Sequence, residues 1–471
     1  MFIDGIWVKP HTDRTLEVIS PTTEEVLLRV PEASERDVDR AVAAARVAFD
    51  TGPWPRLTAA QRSEYLLRVA DNLEKRSVEL ANVWTSQMGA PISFTKHLVS
   101  QAPTLFRFYA ELIAKYSLIE ERQRDDGKVA YIVKEPVGVV AAITPWNAPL
   151  ILLCYKVAAA LAAGCTVVSK PSPETPVDAY LLAECIEAAG VPAGVFNVLP
   201  AGREVGDYLV RHPGIDKISF TGSSAAGKHI AGVAAKRLTR TSFELGGKSA
   251  AVILPSADIV QTLKSLVPFS MPLTGQACFS LTRILAPRLR EKEIIDAYIA
   301  AVRQVRVGDP FESATQMGPL SMARQLNRVL GYIEAGKKEG ATLALGGGRP
   351  AGFGRGYFIE PTVFTNVDNK MTIAQEEIFG PVVSIIPYED LDQAVRIAND
   401  TSYGLHGAIY TSDLEEGFAI ARRMRAGSVA INGLAVDPKM PFGGFKESGL
   451  GREGGIEGLD PYFELKTVYM P

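Results

Sequence analysis

Apolar positions recur at helical spacing through the first third of the chain. In Glu35–Asp50, Val38, Ala41, Val42, Ala45, Val47 and Phe49 fall close together on a 3.6-residue wheel, which predicts an amphipathic helix. Thr58 suits an N-cap for a long periodic stretch over Ala59–Met88, and Gly89 followed by Pro91 is a stop signal. A third helix is expected over Thr95–Lys115. These helices read as cladding without chemistry of their own. Near Ala130 the texture changes to short β-rich runs alternating with amphipathic helices. Strands are expected at Val137–Ile143, Thr166–Lys170, Val195–Leu199, Ile215–Phe220 and Thr241–Leu245. Helices are expected between them at Pro149–Ala163, Thr175–Ala189 and Ser224–Lys236. Strand–helix alternation with short links points to a parallel sheet covered by helices.

A second alternating block starts at Gly246. Ala250–Leu254, Arg283–Pro287, Val382–Tyr388 and Ala408–Thr411 read as strands, and Glu291–Val305, Met322–Glu339 and Leu391–Asn399 as helices. The pattern is that of two α/β domains meeting near residue 246. Glycine-rich stretches at Gly346–Gly356 and Gly443–Gly455 are expected to be surface loops or turns.

Composition narrows the class. The 471 residues carry 47% hydrophobic and 22% charged positions, ordinary for a folded globular chain rather than a disordered one. A net charge of −3 gives no basic excess of the kind nucleic-acid binders carry. The longest apolar run, Ala148–Cys165, is broken by Pro149, Lys156 and Gly164, so it reads as a buried helix rather than a membrane span. The opening MFIDGIWVKP lacks the features of a signal peptide, which makes the cytoplasm the expected location. Four cysteines without CxxC spacing, and five scattered histidines, suggest neither a disulfide scaffold nor a metal site.

Four short segments could carry chemistry. Gly275-Gln276-Ala277-Cys278 places a thiol after a flexible glycine, although a single cysteine in a long chain is ordinarily a small buried hydrophobe. Cys154, Cys165 and Cys185 sit in apolar or helical settings and fit that plainer reading. Glu244-Leu245-Gly246-Gly247-Lys248 puts a carboxylate at the end of an apolar strand, where it is either a general base or a solvated turn residue. Phe220-Thr221-Gly222-Ser223 joins a strand to a helix and could hold phosphate on backbone N–H groups, although the GxGxxG fingerprint is absent. Lys170 ends a neighbouring strand. In Pro145-Trp146-Asn147, the asparagine amide could stabilise an oxyanion or merely cap the next helix.

Together these motifs resemble the aldehyde dehydrogenase superfamily. PWN, KPS, FTGS, ELGGK, GQxC, EEIFGP and PFGGFKESGLGRE occur in that order, and the resemblance spans essentially the whole chain. It implies that Cys278 is the nucleophile, Glu244 the general base, and Asn147 an oxyanion donor acting with the Cys278 N–H. It further implies that Lys170 holds the adenosine ribose and that Gly222 and Ser223 form the pyrophosphate turn. Glu377 and Phe379 would position the nicotinamide ribose and ring, with Trp146 and Thr221 as cofactor neighbours. The implied cofactor is NAD, with NADP possible because Pro173 replaces a ribose-binding glutamate and Glu174 follows one residue later. Matching pocket positions are Tyr155, Phe279, Ala435, Asp437 and Phe442, a set without the tryptophan-rich box expected for a quaternary-ammonium aldehyde. Pro268 and Pro272 interrupt the segment leading to the cysteine loop, which either reshapes the tunnel wall or is harmless variation.

The implied fold is α/β: a Rossmann-like cofactor domain (1–117 and 137–246), a catalytic domain (247–437), and a β oligomerisation element (118–136 and 455–471). Residues 438–454 are expected to return onto the cofactor domain. The expected partners are a small aldehyde and further copies of the chain, as a homodimer or homotetramer, with no nucleic acid, membrane or metal. A CoA-acylating relative and a catalytically silent structural relative are the alternatives. The retained Glu244, Cys278 and Asn147 argue for the hydrolytic enzyme.

Overall fold

A computed structural model describes all 471 residues. Two large sheets organise it. In the first, parallel strands Arg240–Glu244, Lys217–Thr221, Val139–Ile143, Thr166–Lys170 and Phe196–Val198 lie side by side in that order. In the second, Thr362–Thr365, Val382–Tyr388, Arg283–Pro287, Ala250–Ile253, His406–Tyr410 and Ser428–Ile431 are likewise adjacent and parallel. Nearly all of their side chains are buried, because helices cover both faces. A separate three-stranded antiparallel sheet joins Ile119–Gln123, Val129–Pro136 and Phe463–Tyr469. The α/β class and the two-sheet plan follow the expectation.

The apolar helix is Pro149–Ala163, with fourteen of its residues buried. Proline at its first position costs no hydrogen bond, and Gly164 ends it in the left-handed conformation, at φ 97°. No helix of the protein is long and apolar enough to cross a membrane.

Several local expectations need correction. The stretch Ala59–Met88 is two helices, Ala59–Lys75 and Ser77–Met88, broken at Arg76, although Thr58 does cap the first by accepting from Gln61 N–H. The expected Thr95–Lys115 helix begins earlier, as Ile92–Leu98, and resumes as Gln101–Lys115. Within Glu35–Asp50, Val47 is 64% exposed and Ala48 takes the buried position, because the buried stripe runs through Ala41, Ala45 and Ala48. Strands Phe2–Ile3 and Ile6–Trp7 at the edge of the first sheet were not foreseen. Gly443–Gly455 is only in part a surface loop: Phe445, Lys446, Glu447, Leu450 and Gly451 are exposed, but Ser448 and Glu453 are buried, and Gly449–Leu450 pairs with Phe243–Glu244 at the sheet edge.

Candidate active site

Parallel pairing sets the first half of the site. Four adjacent strands run the same way, so their carboxyl ends bring Glu244, Thr221–Ser223, Trp146–Asn147 and Lys170 to one edge. This is where an open α/β sheet places ligands. The second sheet contributes the opposite ends of its strands. Glu377–Phe379 precedes Val382–Tyr388, Cys278 precedes Arg283–Pro287, and Gly246–Lys248 precedes Ala250–Ile253.

The two halves interlock through glycines. Gly247 N–H donates to Glu377 Oε1 at 3.0 Å. A β-carbon on Gly246 would lie 2.4 Å from Glu377 Oε2, and one on Gly247 would lie 2.4 Å from the Cys278 carbonyl oxygen. Only a side-chain-free backbone lets the carboxylate and the nucleophile loop approach so closely. Trp146 meets Phe379 edge to face, with ring centroids 5.3 Å apart. Asn147 Nδ2 donates to the Gln276 carbonyl at 3.0 Å, and its own carbonyl accepts from Trp84 Nε1 at 3.0 Å. Asn147 therefore does not cap the following helix, whose cap position is Ala148.

Cys278 is half-buried, while Cys154, Cys165 and Cys185 are buried core residues. Burial pushes the Cys278 thiol well above the ordinary range, and the charges of Glu377 and Glu244 push it further. Glu244 is no solvated turn residue: it is 4% exposed, and its Oε2 has no hydrogen-bond partner. Burial raises its pKa well above the usual carboxylate range. Glu453 adds to this, and Lys156 and Arg452 oppose it. An orphaned carboxylate oxygen at a polar junction suits a site that takes up water or substrate. Burial lifts Glu377 to about 7, against the Gly247 N–H, Arg328 and Lys248.

The residues fit a dinucleotide. Burial lowers Lys170 to about 8, opposed by Glu174 and Glu32, and its ammonium donates to the Pro171 and Ala201 carbonyls at 3.0 and 2.8 Å. Ser223 caps helix Ser224–Ala235 by accepting from Ala226 N–H, so the unpaired N–H groups of the first turn form an anion-binding end. Gly222 N–H is already committed to the Glu244 carbonyl at 3.0 Å. Thr221 turns its hydroxyl inward to Lys156 at 2.6 Å, so it supports the strand end rather than offering that hydroxyl to a ligand. Glu174 pairs with Arg324 at 2.5 Å.

Among the pocket positions, Tyr155 is buried with an unpartnered hydroxyl, and Phe279 and Phe442 are half-buried. Ala435 and Asp437 are exposed, and Asp437 Oδ1 accepts from Lys439 N–H at 2.9 Å. Pro268 lies inside the last turn of helix Ile259–Ser270, and Pro272 opens the short turn that follows.

Sequence reasoning missed five supporting residues. Gln325 donates to the carbonyls of Ile378 and Phe379, and Arg328 donates to those of Ile378 and Glu377. These bonds hold Phe379 at φ 62°, a left-handed conformation costing about 1–2 kcal/mol. Gln276 stands in the GQxC motif, which assigns it no role, yet it is fully buried with both ends of its amide bonded. Lys156 and Glu453 form an ion pair beneath Glu244. The signal for Lys156 was present: a lysine in an otherwise apolar helix is almost never buried without a partner.

A sequence profile described as "Aldehyde dehydrogenase family" matches residues 7–468. The geranial dehydrogenase of Castellaniella defragrans is 46% identical over 471 residues, covering all of this chain and 98% of that one. The crystal structure of a Mycobacterium tuberculosis aldehyde dehydrogenase complexed with NAD+ superimposes with a TM-score of 0.98 at 44% identity, covering 100% and 97% of the two chains. A mutant of aldehyde dehydrogenase C from Pseudomonas syringae, complexed with NAD+ and octanal, gives 0.96 at 41% identity, covering 99% and 96%. With the ordered motifs meeting at one junction, and with likeness along its whole length, the chain belongs to the aldehyde dehydrogenase family.

Proposed function

We propose that the protein oxidises an uncharged, apolar aldehyde to its carboxylic acid, using NAD, with Cys278, Glu244 and Asn147 as the catalytic set. The observation that carries this reading is the convergence of these three residues with Glu377 and Phe379 where the edges of the two sheets meet. Cys278 gives its proton to solvent, and its sulfur adds to the aldehyde carbon. The carbonyl electron pair moves onto oxygen. The Asn147 amide and the Cys278 N–H stabilise that alkoxide, each such donor being worth about 10²–10³ in rate. When bound, the nicotinamide supplies the hydride acceptor that turns the thiohemiacetal on Cys278 into a thioester. Glu244 then takes a proton from water. Hydroxide adds to the thioester carbon, the carbon–sulfur bond breaks, and the acid leaves with Cys278 restored. The buried, unpartnered Oε2 of Glu244 favours this hydrolytic route over acyl transfer to coenzyme A.

For the cofactor, Lys170 and the first turn after Ser223 would hold the adenosine and phosphate groups, Glu377 the nicotinamide ribose, and Trp146 with Phe379 the apolar ring surface. An apolar substrate is supported by the aromatic lining from Tyr155, Phe279 and Phe442, and by relatives named for geranial or solved with octanal. We assign residues 1–117 and 137–246 to the cofactor domain and 247–437 to the catalytic domain. Residues 118–136 and 455–471 form an element for pairing with further copies, as a dimer or tetramer. In that sheet Ile119, Leu465 and Tyr469 are exposed. The expected location is the cytoplasm.

The test is Cys278→Ala with Glu244→Gln. The first should abolish aldehyde-dependent formation of reduced nicotinamide while leaving NAD binding intact. The second should give a burst and then slow turnover. Turnover by the alanine variant would sink the assignment. A panel of linear, branched and charged aldehydes should rank apolar chains first in kcat/KM.

A further inference from the structure

Just ahead of the nucleophile the chain winds the wrong way. Leu273 (φ 52°, ψ 40°), Thr274 (φ 60°, ψ 38°) and Gly275 (φ 71°) are consecutive left-handed residues. Glycine is required at the third position, where a β-carbon would lie 2.1 Å from the Gly380 carbonyl oxygen. Threonine is β-branched and poorly suited to the second. Such a turn persists only where its surroundings over-determine it. Thr274 Oγ1 donates to the Gly318 carbonyl at 3.0 Å, and Gly275 N–H donates to the Met271 carbonyl at 3.1 Å.

Gln276 completes the enclosure. It is 0% exposed and uses both ends of its amide. Nε2 donates to the Leu273 carbonyl at 2.9 Å, Oε1 accepts from Ser321 N–H at 3.0 Å, and its own N–H donates to Leu273 O at 3.1 Å. Its main-chain carbonyl is the acceptor for Asn147 Nδ2. That last bond decides a chemical question. An asparagine amide can turn over, exchanging a donor for an acceptor of nearly the same shape. With one Nδ2 hydrogen committed to Gln276, the amide keeps its nitrogen toward the cysteine loop, which leaves the second hydrogen for a developing alkoxide. Turned over, it would present an oxygen lone pair there instead.

We propose that Gln276 is a positioning residue. By bracing the left-handed turn from inside, it fixes the carbonyl that orients the Asn147 amide, and so aligns that oxyanion donor. The inference rests on the roles proposed for Asn147 and Cys278. It also explains why an amide is needed: the position must donate to one backbone group and accept from another, which ionised glutamate cannot do and protonated glutamate can.

The experiment compares Gln276→Ala, Gln276→Glu, Asn147→Ala, Cys278→Ala and the Gln276→Ala/Asn147→Ala double variant. The readouts are kcat, KM and NAD binding by quenching of tryptophan fluorescence. Gln276→Ala should lower kcat about tenfold or more while NAD binding stays within about twofold. The double variant should be no slower than Asn147→Ala alone to within about twofold, because one residue acts through the other. For Gln276→Glu, the ratio of its kcat to that of the parent should climb as pH is lowered and the new carboxyl is protonated. A Gln276→Ala kcat within twofold of the parent, or penalties that multiply in the double variant, would overturn the proposal. If the alanine variant does not fold, a pH-independent ratio for Gln276→Glu overturns it equally. An active Cys278→Ala would instead sink the underlying site assignment. An inactive one, with multiplying penalties, removes only the role of Gln276.

Discussion

Removing the Lys156 ammonium tests whether the buried ion pair beneath Glu244 tunes the base or merely fills space. Lys156 is 0% exposed and Glu453 5%, and the two side chains meet directly while Lys156 also donates to Thr221 Oγ1 at 2.6 Å. Lys156→Met keeps the length of the side chain and deletes the charge. The Glu453 carboxylate is then left buried and uncompensated, a state that costs about 3–5 kcal/mol. The effect on catalysis has a definite sign. The pKa of Glu244 is already raised by burial and by Glu453, and Lys156 pulls it down. Without Lys156 it rises further, so the base form that activates water appears only at higher pH. The acid limb of thioester hydrolysis, read from steady-state turnover after the burst, should move up in pH while the burst itself is retained. Urea unfolding should show the stability loss. Adding Glu453→Gln removes the stranded charge and should return most of both effects, because a matched neutral pair can be as stable as an ion pair. An unmoved acid limb in Lys156→Met, or a double variant no better than the single one, would refute the reasoning.

Asp178 is a buried carboxyl lifted to about 7 by burial, partly offset by its bond from Gln87 Nε2 at 2.9 Å, with Oδ1 unpartnered. Its folded pKa lies above its ordinary 3.8, so its contribution to stability is lost as pH rises from 3.8 to about 7. Asp178→Asn should therefore gain melting temperature over the parent across that window and hold the gain above it. A pH-independent difference would count against this. Gly247→Ala would place a β-carbon 2.4 Å from the Cys278 carbonyl oxygen and 3.2 Å from the Leu405 β-carbon. Kcat should fall about 100-fold in a folded protein, checked by circular dichroism beside turnover. Arg328→Met removes donors from the Glu377 and Ile378 carbonyls and should weaken NAD binding about tenfold, measured by calorimetry.

The elements legible in the sequence were those whose local pattern and tertiary fate agree. Pro149–Ala163 was read to the residue, because a proline start, a glycine stop and an unbroken apolar stretch leave one solution. The break at Arg76 was not legible: the apolar periodicity continues across it, and only the backbone, at φ −103° and ψ 11°, reveals two helices. Motif residues were visible as candidates, yet their meeting depends on strand order, which no local pattern encodes. Glu453 was hidden for the same reason. It lies 297 positions from Lys156, on a segment whose glycines suggested solvent.

The electrostatics of Cys278 and Glu244 constrain the order in which they can act. Each is disfavoured from ionising by burial, and Glu244 is among the charges that raise the Cys278 thiol. Interaction between two titrating sites is mutual, so a thiolate on Cys278 must in turn oppose ionisation of Glu244. The free enzyme therefore resists holding both negative charges at once. Once the sulfur is acylated it carries no charge, and that opposition to Glu244 disappears. On the proposed roles, the base becomes easier to ionise at the stage where water must be activated. When the acid departs, the charge returns to sulfur, and the proton taken from water is held at Glu244, beside the group that needs it next. The coupling thus keeps the thiolate and the ionised base from coexisting in the free enzyme and lifts that restraint once the sulfur is acylated.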